Sequence, residues 1–278
     1  MITLNYIKKK AEELKEHGIS NGKNEIIWFL EHTNIINKNT LYSGNLHPIT
    51  QKTKAVIDNF VNKRNCFIPF QYIINSCDFY GKDFIIDKRA LIPRPETETI
   101  IHYLKKKESF NNVLEIGTGA GILSCILSLE KIGKQILATD ISQEALDLAK
   151  ENINSYKIDN IELKKHNILQ DIFKAQFDLI ISNPPYVSLK DYNKLSAEIK
   201  NYEPRQALTD NDDGLVFYRR FAQIIKYILK PKGSFYCEIG KSNTCNEIEN
   251  IFKKNNYTIN WIFDLNKAPR YFELVCTS

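Results

Sequence analysis

Asn183-Pro184-Pro185-Tyr186 follows directly on the apolar run Asp178-Leu179-Ile180-Ile181-Ser182, and its residue types point to one kind of chemistry. A planar amide or aromatic amine is a poor nucleophile because its nitrogen lone pair is delocalised. A reaction at such a nitrogen needs the nitrogen oriented and its developing positive charge stabilised. The Asn183 side-chain oxygen and the Pro184 carbonyl are two acceptors suited to an NH2 group. Pro184 and Pro185 restrict the backbone, so that those acceptors are preset rather than recruited. Tyr186 offers a ring to stack on a flat acceptor. No His or Cys adjoins the stretch, and none is needed, since the spare proton can leave after transfer. On these residues alone adenine, guanine and a glutamine side chain all qualify.

A second constellation is Gly117-Thr118-Gly119-Ala120-Gly121, set between a buried strand pattern at Val113–Ile116 and a helical pattern at Ile122–Leu129. Glycines there permit a sharp turn and close approach of a ligand. Asp140 closes the next strand pattern, where a carboxylate can accept from both hydroxyls of a ribose. Dinucleotide sites use Gly-x-Gly-x-x-Gly. The Gly-x-Gly-x-Gly spacing here is closer to the loop of S-adenosylmethionine enzymes, in which no pyrophosphate needs cradling.

The elements that must position these residues are legible as periodicities. Helical patterns cover about Leu4–His17, Asn24–Ile35 and Pro48–Asn62. Tyr72-Ile73-Ile74 has strand character, and Cys77–Tyr80 with Asp83–Ile86 reads as a hairpin around Gly81-Lys82. Pro95 disfavours helix at Arg94, so the chain is extended up to Arg94, and Thr97 with Glu96 and Glu98 suits the first turn of a helix. From Asn112 strands alternate with helices. The strands are Val113–Ile116, Gln135–Thr139, Ile161–Lys164, Asp178–Ser182 and Ser234–Glu238. The helices are Ile122–Leu129, Gln143–Ser155 with Ser142 as N-cap, Gly214–Leu229 and Asn243–Asn255. Thr258–Phe263 and Tyr271–Cys276, joined by a short connection, must be antiparallel. The pattern is α/β, with a largely parallel sheet. It divides into a helical domain at 1–70, suited to binding the substrate, a β-hairpin connector at 71–90 and the main domain at 91–278.

Composition narrows the class. The 278 residues are 43% hydrophobic and 26% charged, as in ordinary globular proteins, and the net charge of +5 permits an acidic partner without requiring one. The six cysteines form no Cys-x-x-Cys pair and no zinc-like spacing with His, so no metal is expected. No signal-peptide core and no run of membrane-spanning length is present, which gives a cytoplasmic expectation.

The chain resembles the peptide chain release factor N5-glutamine methyltransferases nearly end to end. The likeness rests on Phe70-Gln71-Tyr72, Phe79-Tyr80-Gly81, Leu91-Ile92-Pro93-Arg94-Pro95-Glu96-Thr97-Glu98, Gly117–Gly121, Asn183–Tyr186, Tyr202-Glu203-Pro204-Arg205-Gln206-Ala207-Leu208 and Gly214-Leu215. It implies a seven-stranded, mostly parallel class I S-adenosylmethionine-dependent methyltransferase domain of Rossmann-like α/β type, behind a small N-terminal helical domain. It implies methyl transfer to the glutamine of the Gly-Gly-Gln loop of release factors, with no membrane and no required nucleic acid. It further implies Gly117–Gly121, Asp140, Asn167, Ile168 and Asn183 at the donor and Asn183–Tyr186 at the acceptor, with Arg94 and Glu96 choosing the substrate. The alternatives are glutamine methylation of ribosomal protein L3 and methylation of a purine amine in RNA or DNA. Three positions depart from the family pattern: Asn75 stands where Gly is common, Glu115 where Asp is usual, and His166-Asn167-Ile168 where Ser/Gly-Asp-aromatic is frequent.

Overall fold

The computed structural model describes residues 2–36, 50–240 and 244–276. The expected helix starts at Pro48 and Asn243 lie outside the described residues. By internal contacts the chain forms two compact units, residues 1–75 with 197–202, and residues 76–196 with 203–278.

The first unit holds α1 (Ile2–Glu16), α2 (Gly22–His32), α3 (Gln51–Asn65) and α4 (Phe70–Ile74). Ile7, Leu14, Ile26, Leu30, Ile57 and Phe60 make its core, at the three- and four-residue steps of amphipathic helices. Arg64 is buried there and is paired with Glu25 at 2.6 Å. Tyr72–Ile74, expected as a strand, is the end of helix α4. Phe70 and Ile73, three residues apart, both pack on the helical core, and Phe70 meets the Phe60 ring edge-on at 6.0 Å. Tertiary packing overrides the β-branched preference of the two isoleucines. Asn75 caps α4 in the left-handed region at φ 51°, which Asn tolerates better than most side chains, so Asn can stand there in place of Gly.

The second unit opens with a hairpin, β1 (Ser76–Phe79) and β2 (Lys82–Ile85). Its turn residues are Tyr80 and Gly81, one position earlier than expected, both with positive φ (54° and 67°) as a tight hairpin turn demands. A short turn at Pro95–Thr97 leads into α5 (Glu98–Leu104). Then β3 (Phe110–Ile116), α6 (Ile122–Leu129), β4 (Gly133–Asp140), α7 (Gln143–Ser155), β5 (Ile161–Lys165) and β6 (Phe177–Ser182) alternate. The short helices α8 (Leu189–Tyr192), α9 (Ala197–Tyr202, grouped with the first unit) and α10 (Arg205–Leu208) follow. α11 (Val216–Ile228), β7 (Leu229–Glu238), α12 (Cys245–Lys253), β8 (Tyr257–Phe263) and β9 (Pro269–Cys276) complete it. α11 starts two residues after Gly214 because Gly214 holds φ +85°; the Asp210 carboxylate accepts from the Gly214 and Val216 N–H groups at its mouth.

The seven strands run β5-β4-β3-β6-β7-β9-β8. Neighbours from β5 to β7 are parallel, and β9 pairs antiparallel with β7 and β8. Successive residues on a strand point to opposite faces. Leu179, Ile180 and Ile181 are each 0% exposed, so the sheet is covered on both faces and these strands read as continuous apolar runs. The strand order turns at β3, which pairs with β4 on one side and β6 on the other. In an open α/β sheet that is where ligands bind, beyond the strands' carboxyl ends.

Candidate active site

Register brings the two constellations together. On β3 and β6, Ile116 is opposite Ser182, and the Ser182 hydroxyl donates to the Ile116 carbonyl at 2.9 Å. Gly117 and Asn183 therefore leave adjacent strands at the same level. A Cβ on Gly117 would lie 3.8 Å from the Asn183 carbonyl. On the other side Ile116 is opposite Thr139, which places Asp140 beside the glycine turn.

That turn is fixed from within. Gly117 and Thr118 donate to the Thr139 carbonyl at 2.8 and 2.9 Å. Gly119 N–H donates to Asp140 Oδ2 and Ser142 N–H to Asp140 Oδ1, each at 2.9 Å. Gly117 and Gly119 hold φ of 79° and 54°, where other residues are strained. Gly121 shares that constraint at φ 73° and carries a second one, since a Cβ there would meet Ala149 Cβ at 2.8 Å on α7. Burial raises the Asp140 carboxyl above its ordinary value, opposed by the backbone N–H groups of Ser142, Gly119 and Ile141. A carboxylate has about four acceptor positions, so with these three backbone N–H groups Asp140 keeps room for a further donor. Glu115, buried at the end of β3, accepts the Thr118 hydroxyl at 2.8 Å and also that of Ser124. Burial pushes its carboxyl up to about 7.

Gly117–Ala120, Asp140, Asn167, Ile168, Asn183, Pro184, Pro185 and Arg94 all line one cavity of about 190 Å³. Among the described residues the Asn183 side-chain amide has no hydrogen-bond partner, and the Pro184 carbonyl accepts no backbone hydrogen bond. Arg94 donates to Glu203 Oε1 at 2.7 Å. Glu203 is 5% exposed and also takes the Ile92 N–H at 3.3 Å.

Three named residues do not line the cavity: Gly121, Glu96 and Tyr186. The Tyr186 ring lies against Gly240, where a Cβ would come within 2.4 Å of its Cδ2, and the Tyr186 carbonyl lies against Gly214. The ring packs on the core cluster, and burial raises its hydroxyl well above the usual tyrosine value. Tyr186 therefore anchors the turn from behind. The Asn167 side-chain oxygen takes the Leu169 N–H at 3.1 Å, shaping its own loop. His166 stacks on Phe173 at 3.9 Å, with burial lowering its affinity for a proton.

Residues 95–223 match the methyltransferase small domain family. A release factor glutamine methyltransferase of Fusobacterium nucleatum is 34% identical over 261 residues, spanning 92% of this chain and 73% of its own. The chain belongs to the release factor glutamine methyltransferase family. A second member, from Streptococcus pneumoniae, is 38% identical over 209 residues, 74% of each chain. A solved methyltransferase from Pyrococcus furiosus has a TM-score of 0.52 at 20% identity, over 70% of this chain and 89% of that one, a likeness of fold alone.

Several lining residues escaped the sequence. Ile141 and Leu169 line the cavity although they are 47% and 38% exposed. Position was the available signal for Ile141, which directly follows the strand-closing carboxylate. Thr97 and Phe217 also line the cavity. Glu203 lay within the family stretch, but its pairing with Arg94 spans 109 residues and no local pattern predicts it.

Proposed function

We propose that this chain transfers the methyl group of S-adenosylmethionine to the side-chain amide nitrogen of the glutamine in the Gly-Gly-Gln loop of peptide chain release factors. One observation carries the reading: the Ile116–Ser182 register sets an uncommitted carboxamide at Asn183 beside a glycine turn and an acidic strand end, in a single cavity. Family membership supplies the substrate.

The residues fit the donor. Asp140 retains acceptor capacity for a ribose hydroxyl, and Ile141 with Leu169 gives apolar cover for a purine. The glycine turn removes side chains where the ligand backbone must come close. When bound, S-adenosylmethionine supplies a methyl group on a positively charged sulfur, which makes that carbon electrophilic. Asn183 Oδ1 and the Pro184 carbonyl accept the two N–H bonds of the incoming carboxamide, turning the nitrogen toward the glycine turn. Both acceptors also stabilise the positive charge that grows on nitrogen as the new bond forms. Pro185 and the anchored Tyr186 keep them fixed, so that little reorganisation accompanies the reaction. Arg94, steadied by Glu203, stands at the cavity wall to meet the polar backbone of the substrate loop.

Labelled methyl transfer to a purified release factor, compared with ribosomal protein L3, ribosomal RNA and DNA, tests the reading. The expected result is label on the release-factor glutamine, located by peptide mass spectrometry. Label confined to L3 or to nucleic acid would overturn it.

A further inference from the structure

Glu238, at the end of β7, is 1% exposed and has no part in the chemistry above. Its Oε2 accepts two hydroxyl protons, from Thr97 at 2.7 Å and from Tyr271 at 2.6 Å. Its backbone carbonyl takes the Tyr218 hydroxyl at 2.9 Å. Thr97 is itself buried, yet it lines the cavity that holds Asn183 and Pro184. A threonine hydroxyl has one hydrogen to give. With that hydrogen committed to Glu238, Thr97 Oγ1 can only accept from any other group.

An acceptor of that kind answers a need of the reaction. A carboxamide nitrogen that has gained a methyl group still carries both of its hydrogens and a positive charge, and one proton must go. Neither Asn183 nor the Pro184 carbonyl is basic enough to keep it.

We propose that Thr97 and Glu238 form the outlet for this proton, with Thr97 as the residue that touches the substrate and Glu238 acting through it. The inference rests on the functional reading above. In the step, an N–H bond of the methylated nitrogen breaks and its proton bonds to Thr97 Oγ1. The hydrogen that Thr97 already shares with Glu238 passes to Oε2. The products are a neutral N-methyl carboxamide, an intact threonine and a neutral glutamic acid. The same path in reverse returns the proton to water when the product leaves, which restores the carboxylate. Burial raises the Glu238 carboxyl above its ordinary value, opposed chiefly by the Tyr271 and Thr97 hydroxyls. The carboxylate is thus a stronger base than an exposed glutamate.

The test uses the full chain with a release factor as substrate and compares Thr97→Val, Thr97→Ser and Glu238→Gln. Turnover, KM for the release factor, donor affinity by calorimetry and melting temperature are measured for each. Thr97→Val, which keeps the shape and loses the hydroxyl, is expected to lower kcat about 100-fold, the usual weight of a positioned proton acceptor. KM and donor affinity stay at wild-type values, and Thr97→Ser restores turnover. Glu238→Gln lowers kcat as Thr97→Val does. Wild-type kcat in Thr97→Val overturns the proposal, as does a Thr97→Ser variant equally impaired, because bulk and not the hydroxyl would then matter. Should Glu238→Gln melt early, the threonine pair alone decides. A wild-type enzyme that leaves the release factor unlabelled would sink the functional reading itself, and this proposal with it.

Discussion

Two turns leave neighbouring strands of the same sheet and spend their polar groups in opposite ways. At Gly117–Gly121 nearly everything is satisfied internally: Gly117, Thr118 and Gly119 have partners for their N–H groups, and Asp140 accepts from the backbone N–H groups of Gly119 and Ser142 among others. At Asn183–Pro185 the side-chain amide and the Pro184 carbonyl are left without such partners among the described residues. The first turn is built by its own hydrogen bonds. The second is held by covalent stiffness and by packing behind Tyr186. Under the proposed function, the donor side is then fully formed while the acceptor side still offers hydrogen bonds to a substrate.

That contrast can be broken by substitution. Asn183→Ala should show the largest effect, about 100- to 1,000-fold in kcat, the range for loss of one preorganised polar group at a developing charge. Because no native hydrogen bond is lost, stability should change by no more than about 0.5 kcal/mol. Methylation kinetics beside a thermal melt check this, and an equal fall in donor affinity would place Asn183 on the wrong side of the comparison. Asp140→Ala should do the reverse. Donor affinity falls about tenfold or more, the worth of a hydrogen bond to a charged group, and stability drops by about 1–3 kcal/mol as Gly119 and Ser142 lose their acceptor. Calorimetry with the donor reads the first and denaturant unfolding the second; unchanged affinity would remove Asp140 from the donor site. Ser142→Ala should be the mildest. Its hydroxyl caps α7 by accepting the Ala145 N–H at 3.2 Å, so stability falls by about 1 kcal/mol. Donor affinity should suffer far less than with Asp140→Ala, and a comparable loss would mean that holding the turn and presenting its acceptors are one function.

The parts of this picture legible in the sequence were those set by local rules. α6 and α7 begin and end where the periodicity places them, because a glycine turn starts one and Ser142 caps the other. The strand ends that carry Gly117, Asp140 and Asn183 were equally plain, since apolar runs stop there. Where distant packing decides, local pattern misleads. The Tyr72-Ile73-Ile74 stretch has strand composition but is helical because Phe70 and Ile73 reach the helical core. Tyr186 was expected against the substrate, yet a Pro-Pro turn does not reveal which way the next ring points. The ring lies in the space that Gly240 leaves, while Gly214 makes room for the Tyr186 carbonyl. The partners of Arg94 and Thr97 lie 109 and 141 residues away, and no spacing rule links them.

The strand order has a further consequence for how the molecule is made. Among the described residues β8 pairs with β9 alone, and β9 separates it from β7. During synthesis from the N-terminus, β7 presents an open edge and β8 has no partner until residues 269–276 emerge. Those residues also bring Tyr271 to Glu238. The Glu238 carboxylate gains that hydrogen bond only when β9 takes its place between β7 and β8, so this support of Thr97 is completed with the closing of the sheet.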